Sequence, residues 1–212
     1  MVLLKIKQKN TFQEGKMMKK THIINVQPLR TNEEIQEMKH AIRRGNKGTP
    51  KRKELADRDV LLFLIGINTG LRVNDILKLK VGDVKGKDFF YIFEGKTKKK
   101  RAVNIGMIRN EIDAFTENMK PDEYLFQSQK GNGPLTTTQV YRILDDAADF
   151  LGRDDVGTHT MRKTFGYHHY KKFKDVAMLQ EIFNHSSPSI TKRYIGIRQD
   201  EINESLREFR LG

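Results

Sequence analysis

The sequence predicts a mostly α-helical domain carrying one small antiparallel β-sheet, an α+β class. Apolar residues recur at helical spacing in several segments. One stretch, residues 55–67, is apolar almost all round, and two β-forming runs flank a polar loop that starts at a glycine. At 212 residues the chain fits one ordinary domain with some extra length and buries a sizeable core, so a second large domain is not expected.

Residues 1–27 read as a basic tail or linker, with six lysines against one acid, no sustained periodicity and Pro28 as punctuation. Residues 28–212 are expected to form the domain. Thr31 followed by Glu34 has capping-box spacing and predicts a helix start, with Ile35, Met38 and Ile42 on one face. Residues 45–53, rich in Gly, Lys and Pro, read as a loop. The apolar stretch after them is expected to be a buried central helix, because a helix lacking a polar face sits inside. Asn68, Thr69 and Gly70 break it, and a short helix resumes over 73–79. The runs FFYIF (89–93) and RAVNI (101–105) predict a hairpin. Ile108, Ile112 and Phe115 then share one helix face. Val140, Ile143, Leu144, Ala147 and Leu151 share another, with Thr136 to Thr138 as candidate caps. From His159 on, short helices are expected, separated by Lys174-Asp175, by the HSSP run at 185–188 and by Gly196.

Charge narrows the partners. Forty Lys plus Arg against 27 Asp plus Glu give a formal +13, a surface that attracts a polyanion and releases counterions on binding it. Nucleic acid leads. An anionic membrane suits the same charge, but no apolar run approaches the roughly 18 residues of a span, so no membrane partner is expected. The N-terminal MVLLKIKQKN has only a short apolar piece and does not read as a secretory signal. The lack of cysteine removes a disulfide framework and thiolate metal sites, which fits a cytoplasmic protein.

Three stretches carry candidate chemistry, and each also has an ordinary interpretation. In THTMR, His159 and Arg162 are three apart, so on a helix they share a face and can meet one small anion; otherwise they are a capping His and a solvated Arg. In GLRVND, Gly70 allows a turn with positive φ and Arg72 leaves the core at a sharp corner. Coming straight after so apolar a run, Arg72 is expected to be partly buried, with a carboxylate or phosphate as partner. Asp75, three residues on, is placed to hold a basic neighbour. The hairpin tip GKTKKKR brings together Lys96, Lys98, Lys99, Lys100 and Arg101, either a solvated charge run or a contact to DNA backbone. The Gly-Lys-Thr piece is not a P-loop: Phe90 stands where its first glycine belongs, and the segment joins two strands. There is no HExxH or Gly-x-Ser-x-Gly, and adjacent His168 and His169 point to different helix faces, so no metal site is expected.

Together, TGLRVNDILKL, the lysine of GKTKKKR, HTMRKTFG, NHSS and SITKRY resemble, in order and spacing, the tyrosine recombinases, also called the phage integrase family. The intervals are 24 residues from Arg72 to Lys96, 3 from His159 to Arg162, 23 from Arg162 to His185 and 9 from His185 to Tyr194. The resemblance covers about residues 28–210 and implies that family's catalytic-domain fold. It also implies a site-specific recombinase or integrase that cleaves and rejoins DNA through a 3′-phosphotyrosyl link, without metal or ATP. In that scheme Arg72 and Arg162 clamp the non-bridging oxygens of the scissile phosphate, and Lys96 protonates the leaving 5′-oxygen. His159 is the general acid/base, His185 supports phosphate and nucleophile, Asp75 helps organise the site, and Tyr194 is the nucleophile. The physics agrees with these roles: preorganised guanidiniums favour the more highly charged transition state, and tyrosine, with an ordinary pKa of about 10, needs positive charge and a base nearby. The resemblance further implies no cofactor, no small-molecule substrate, double-stranded DNA as partner, and a homo-tetramer on DNA exchanging its C-terminal helix, with Ile202, Leu206 and Phe209 on one face.

Two departures qualify it. NHSS replaces the commoner GHSS, and an N-terminal core-binding domain, usual in members with full site specificity, has no counterpart in the roughly 27 residues before the domain. Two other functions use the same residues and fold: a DNA-binding or regulatory module without turnover, and type IB topoisomerase-like relaxation.

Overall fold

In the computed structural model the described residues are 26–45, 50–93, 100–129, 131, 133–207 and 209–210. Among them the expected class is found: ten α-helices and one two-stranded sheet.

Helix α1 (Asn32–Arg44) starts where the capping residues place it, with Thr31 Oγ1 accepting from Glu34 N at 3.1 Å. Only half of the box forms, because the Glu34 carboxylate takes Arg30 N instead of the cap's own amide. Helix α2 (Pro50–Thr69) begins inside the segment read as a loop. Proline at a first helical position carries no N–H to leave unsatisfied and has φ already set, so Pro50 opens a helix here. The helix runs through the core, burying Val60, Leu61, Leu62, Phe63 and Ile65.

Two short helices follow, α3 (Val73–Ile76) and α4 (Val81–Val84), the second not expected from sequence. Strands β1 (Phe89–Phe93) and β2 (Lys100–Asn104) pair antiparallel with Phe90 opposite Val103 and Ile92 opposite Arg101. The second strand, expected over 101–105, thus begins and ends one residue early. A 3-10 turn (Gly106–Ile108) leads into α5 (Arg109–Phe115). Helix α6 (Thr137–Phe150) is capped by Thr136 in a complete capping box with Gln139.

The last third is α7 (Thr160–Phe173), α8 (Val176–Phe183), α9 (Pro188–Tyr194) and α10 (Ile197–Arg207), broken where the sequence places the breaks. The large core, built by α1 to α6 and the sheet, reaches α7 at Met161. A smaller cluster of Tyr167, Tyr170, Leu179, Phe183, Ile195 and Ile197 holds α7 to α10 together. Helix α7 belongs to both. No described helix is long and apolar enough to cross a membrane.

Candidate active site

Gly70 ends α2 at φ +62°, and a Cβ there would sit 2.4 Å from the Phe165 ring, so only glycine both turns the chain and lets α7 approach. The turn delivers Arg72, the N-cap of α3, whose carbonyl accepts from Asp75 N and Ile76 N. Contrary to expectation, Arg72 is exposed. The apolar run ends at Leu71, and the sharp corner throws the next side chain outward. Asp75 is mostly buried, and its basic neighbour is Lys78, at 3.9 Å.

Of the two site arginines the buried one is Arg162, 5% exposed. Its guanidinium donates to Gly70 O and to Phe183 O (2.9 Å) and lies 4.3 Å from the centroid of the Phe183 ring. Those carbonyls stand at the C-terminal ends of α2 and α8, where helices leave acceptors unsatisfied and favour a cation. One first-turn residue of α7 therefore joins three helices. His159 is the N-cap of α7 but makes no side-chain capping bond, which leaves its imidazole to the site.

Helix α8 ends at Asn184 in the left-handed conformation, φ 50° and ψ 49°. Asparagine is among the few side chains that tolerate it, so NHSS makes the same turn a glycine would. His185 follows, its Nδ1 3.1 Å from Thr191 Oγ1. The Thr191 hydroxyl donates to Ser187 O (3.3 Å), so the imidazole is the donor through Nδ1, and its Nε2 keeps a lone pair. Ser187 caps α9 and Pro188 opens it, and that short helix presents Tyr194 in its last turn.

The Tyr194 hydroxyl lies 3.1 Å from His159 Nδ1, and its ring packs edge-on against His159, Phe183 and His185. Burial raises its pKa above the usual tyrosine value, while the charges of Arg162 and Arg72 oppose that rise. Burial lowers the His159 pKa, and Lys163, Arg162 and Arg72 push it the same way. His185 is lowered by burial first and by the two arginines next. Near neutral pH the phenol is thus protonated and His159 neutral, and in the imidazole tautomer protonated at Nε2 the Tyr194 O–H donates to Nδ1. An imidazole, a phenolic hydroxyl and two guanidiniums thus lie close together.

The structure thus brings Arg72, His159, Arg162, His185 and Tyr194 together. Lys96, Lys98 and Lys99 lie outside the described residues. Lys100 is exposed, its ammonium 4.1 Å from the Tyr91 ring centroid, whereas Arg101 turns inward and donates to main-chain carbonyls. Sequence inspection missed Lys163, whose ammonium lies 5.3 Å from the Tyr194 ring centroid and donates to Val26 O (2.6 Å); burial lowers its pKa. It also missed Thr191. Thr191 stands six residues after His185, and Lys163 one after Arg162. Among the described residues no cluster of His, Asp and Glu has the makings of a metal site.

The phage integrase family model matches residues 29–201. The probable integrase/recombinase YoeC of Bacillus subtilis is 48% identical over 185 residues, covering 87% of this chain and 97% of YoeC. Tyrosine recombinase XerD of Corynebacterium glutamicum is 30% identical over 162 residues, 73% of this chain and 52% of XerD. A crystal structure of XerH site-specific recombinase bound to palindromic difH substrate, a post-cleavage complex, superposes with TM-score 0.64 at 27% identity, covering 84% of this chain and 51% of XerH. The chain therefore spans nearly all of YoeC and about half of XerD and XerH.

Proposed function

Because the chain belongs to the phage integrase family, we propose that it is a site-specific recombinase that breaks and rejoins DNA strands through Tyr194. The observation that carries this is the Tyr194 hydroxyl hydrogen-bonded to a neutral His159 beside two arginines. Tyr194 Oη attacks the scissile phosphorus and passes its proton to His159 Nδ1. The P–O5′ bond breaks, leaving a 3′-phosphotyrosyl ester. The departing 5′-oxygen takes a proton, a role the family resemblance gives to Lys96. Attack by a 5′-hydroxyl of another strand reverses the steps, so one ester replaces another and no nucleotide energy is consumed.

Arg162, preorganised by Gly70 and Phe183, and the solvent-facing Arg72 meet the non-bridging oxygens, where attack raises the negative charge. Such donors cost nothing to reorganise at the moment of reaction, and removing one typically costs about 2.7–4 kcal/mol of transition-state stabilisation. His185, oriented by Thr191, offers Nε2 on the same side. Asp75 acts with Lys78 to hold the α3 corner.

Double-stranded DNA as substrate accords with the +13 charge and gives the protein a cytoplasmic, DNA-associated place. Residues 28–212 are then the catalytic domain. A tetramer on DNA exchanging C-terminal helices is supported by the exposure of Ile202, Leu206 and Phe209. The deciding experiment is a nicked suicide duplex incubated with the protein in EDTA. A covalent adduct is expected, and none with Tyr194→Phe; an adduct that needs a divalent ion, or that survives the substitution, overturns the mechanism. Plasmid relaxation without recombinants would instead favour the topoisomerase-like reaction.

A further inference from the structure

Arg101 sits where alternation along β2 sends it inward. Lys100, Ala102 and Asn104 face solvent, while Arg101 is partly buried and Val103 fully so. Its guanidinium donates to Ile182 O and to Thr69 O (3.4 Å). These carbonyls directly precede the two that Arg162 holds, Phe183 O and Gly70 O. Two arginines, one from the sheet and one from α7, therefore bridge the same pair of helix ends at successive carbonyls. Arg72 comes three residues after Thr69, and His185 three residues after Ile182.

We propose that Arg101 is a positioning residue which fixes strand β2 to the two chain turns that present Arg72 and His185, and that it does not bind DNA phosphate. This rests on the proposed strand-breaking function. A guanidinium suits the task because its planar fork donates in two directions at once, whereas an ammonium is a point charge on a flexible stem. With the fork gone, one of the two guanidinium bridges between the turns is lost, and the phosphate-facing groups lose register with strand β2. Misplacement of reacting groups by about 1 Å costs on the order of 10²-fold in rate.

The test compares Arg101→Lys, Arg101→Gln and Arg101→Ala with the parent chain on the nicked suicide duplex. Single-turnover adduct rates at saturating DNA are measured beside the slope of log affinity against log salt. All three variants are expected to lose about 10²-fold in rate, with duplex affinity within about twofold and the salt slope unchanged. Methylguanidinium should partly restore Arg101→Ala, and methylammonium should not, a response that a loss of fold would not give. Parental rates in Arg101→Lys, or a slope smaller by about 0.9, the loss of one phosphate contact, would overturn the proposal. Should Arg101→Ala melt below the assay temperature, Arg101→Lys decides alone, since it keeps charge and stem. Failure of the parent chain to form any adduct would instead count against the proposed function.

Discussion

The arginine side of the site and the tyrosine side rest on cores of different size. Gly70 and Arg72 leave a helix sunk in the large core, among side chains such as Phe63, Ile65 and Leu62 that are almost wholly buried. Tyr194 leaves a seven-residue helix whose support is the small cluster around Phe183 and Ile195. Polar ties add to it: Arg30 to Asp200 at 2.8 Å, Lys192 to Glu201 at 2.9 Å and Tyr170 to Glu201 at 2.6 Å. Local opening follows the thinner packing, so the arginines proposed to clamp phosphate are the fixed partner and the proposed nucleophile the adjustable one. An enzyme that must hand a strand from one tyrosyl ester to another strand gains from that division.

Arg162 is the residue that belongs to both sides, and removing it should have the largest effect. Arg162→Ala leaves Gly70 O and Phe183 O without their donor in a buried place, at about 1–3 kcal/mol of stability. It also deletes a phosphate donor, for a fall of about 10²–10³-fold in adduct rate. Urea unfolding and the suicide-duplex assay read these separately. Arg72→Ala, exposed and outside the core, should lose comparable rate with stability changed by less than about 0.5 kcal/mol. Equal destabilisation by the two would erase the distinction between a structural and a solvent-facing clamp arginine.

Gly166 tests the small cluster directly. A Cβ there would stand 2.6 Å from Ile195 Cγ2 and 2.7 Å from Phe183 Cε2, the contacts that seat the ends of α9 and α8 against α7. Gly166→Ala should cost about 1–3 kcal/mol as overpacking, and lower the adduct rate with duplex affinity retained. A loss of affinity equal to the loss of rate would mean that the phosphate clamp moves with the tyrosine.

These contrasts were unevenly legible in the sequence. Helix faces and caps could be read because they repeat at fixed intervals, and the site residues because their types recur at family spacing. Helix α4 could not, since four residues offer no period. The environment of the arginines is not legible for a plainer reason: Arg162 and Arg101 are held by main-chain carbonyls, which leave no mark in the sequence, and Arg72 is turned outward by the corner after Leu71. The alternation that sets Arg101 beside Val103 did hold a clue, outweighed by the run of charges before it. Lys163 meets Tyr194 and Val26 only through tertiary packing, and nothing local announces either contact.

Acid should separate the two sides by a smaller amount. The His159 pKa lies below its ordinary value of about 6.5 because of burial first and the charges of Lys163, Arg162 and Arg72 next. Its neutral, proton-accepting form therefore persists below pH 6.5, and the contribution to stability follows the same sign. The unfolded chain takes up the proton first, so stability is full above about pH 6.5 and is lost as pH falls toward the folded pKa. Second-order adduct rates report the free enzyme, and their acid limb should lie below pH 6.5. Lys163→Gln should move that limb upward, toward the ordinary value, at fixed ionic strength. A limb that stays in place would show that Lys163 acts on the tyrosine alone.

The smallest effect is expected at the polar ties of α10, and its direction is the informative part. Glu201 accepts from Tyr170 and Lys192, and these bonds, Tyr170 first, lower its pKa against the opposing effect of burial. Any stability it adds is present above the ordinary carboxylate pKa of about 4.3 and lost as pH falls through the folded value. Partly exposed pairs contribute about 0–1 kcal/mol each, so Asp200→Asn with Glu201→Gln should barely shift global unfolding. Hydrogen exchange should nevertheless quicken in α9 and α10 and stay unchanged in α2. If α10 leaves its own protomer on assembly, weakening these ties lowers the cost of departure, and complexes on DNA should form at lower protein concentration in the double variant. If α10 remains in place, the same variant only loosens Tyr194, and adduct formation slows without any gain in assembly. Native gels on duplex beside exchange rates distinguish a tether that restrains the helix from one that merely seats it.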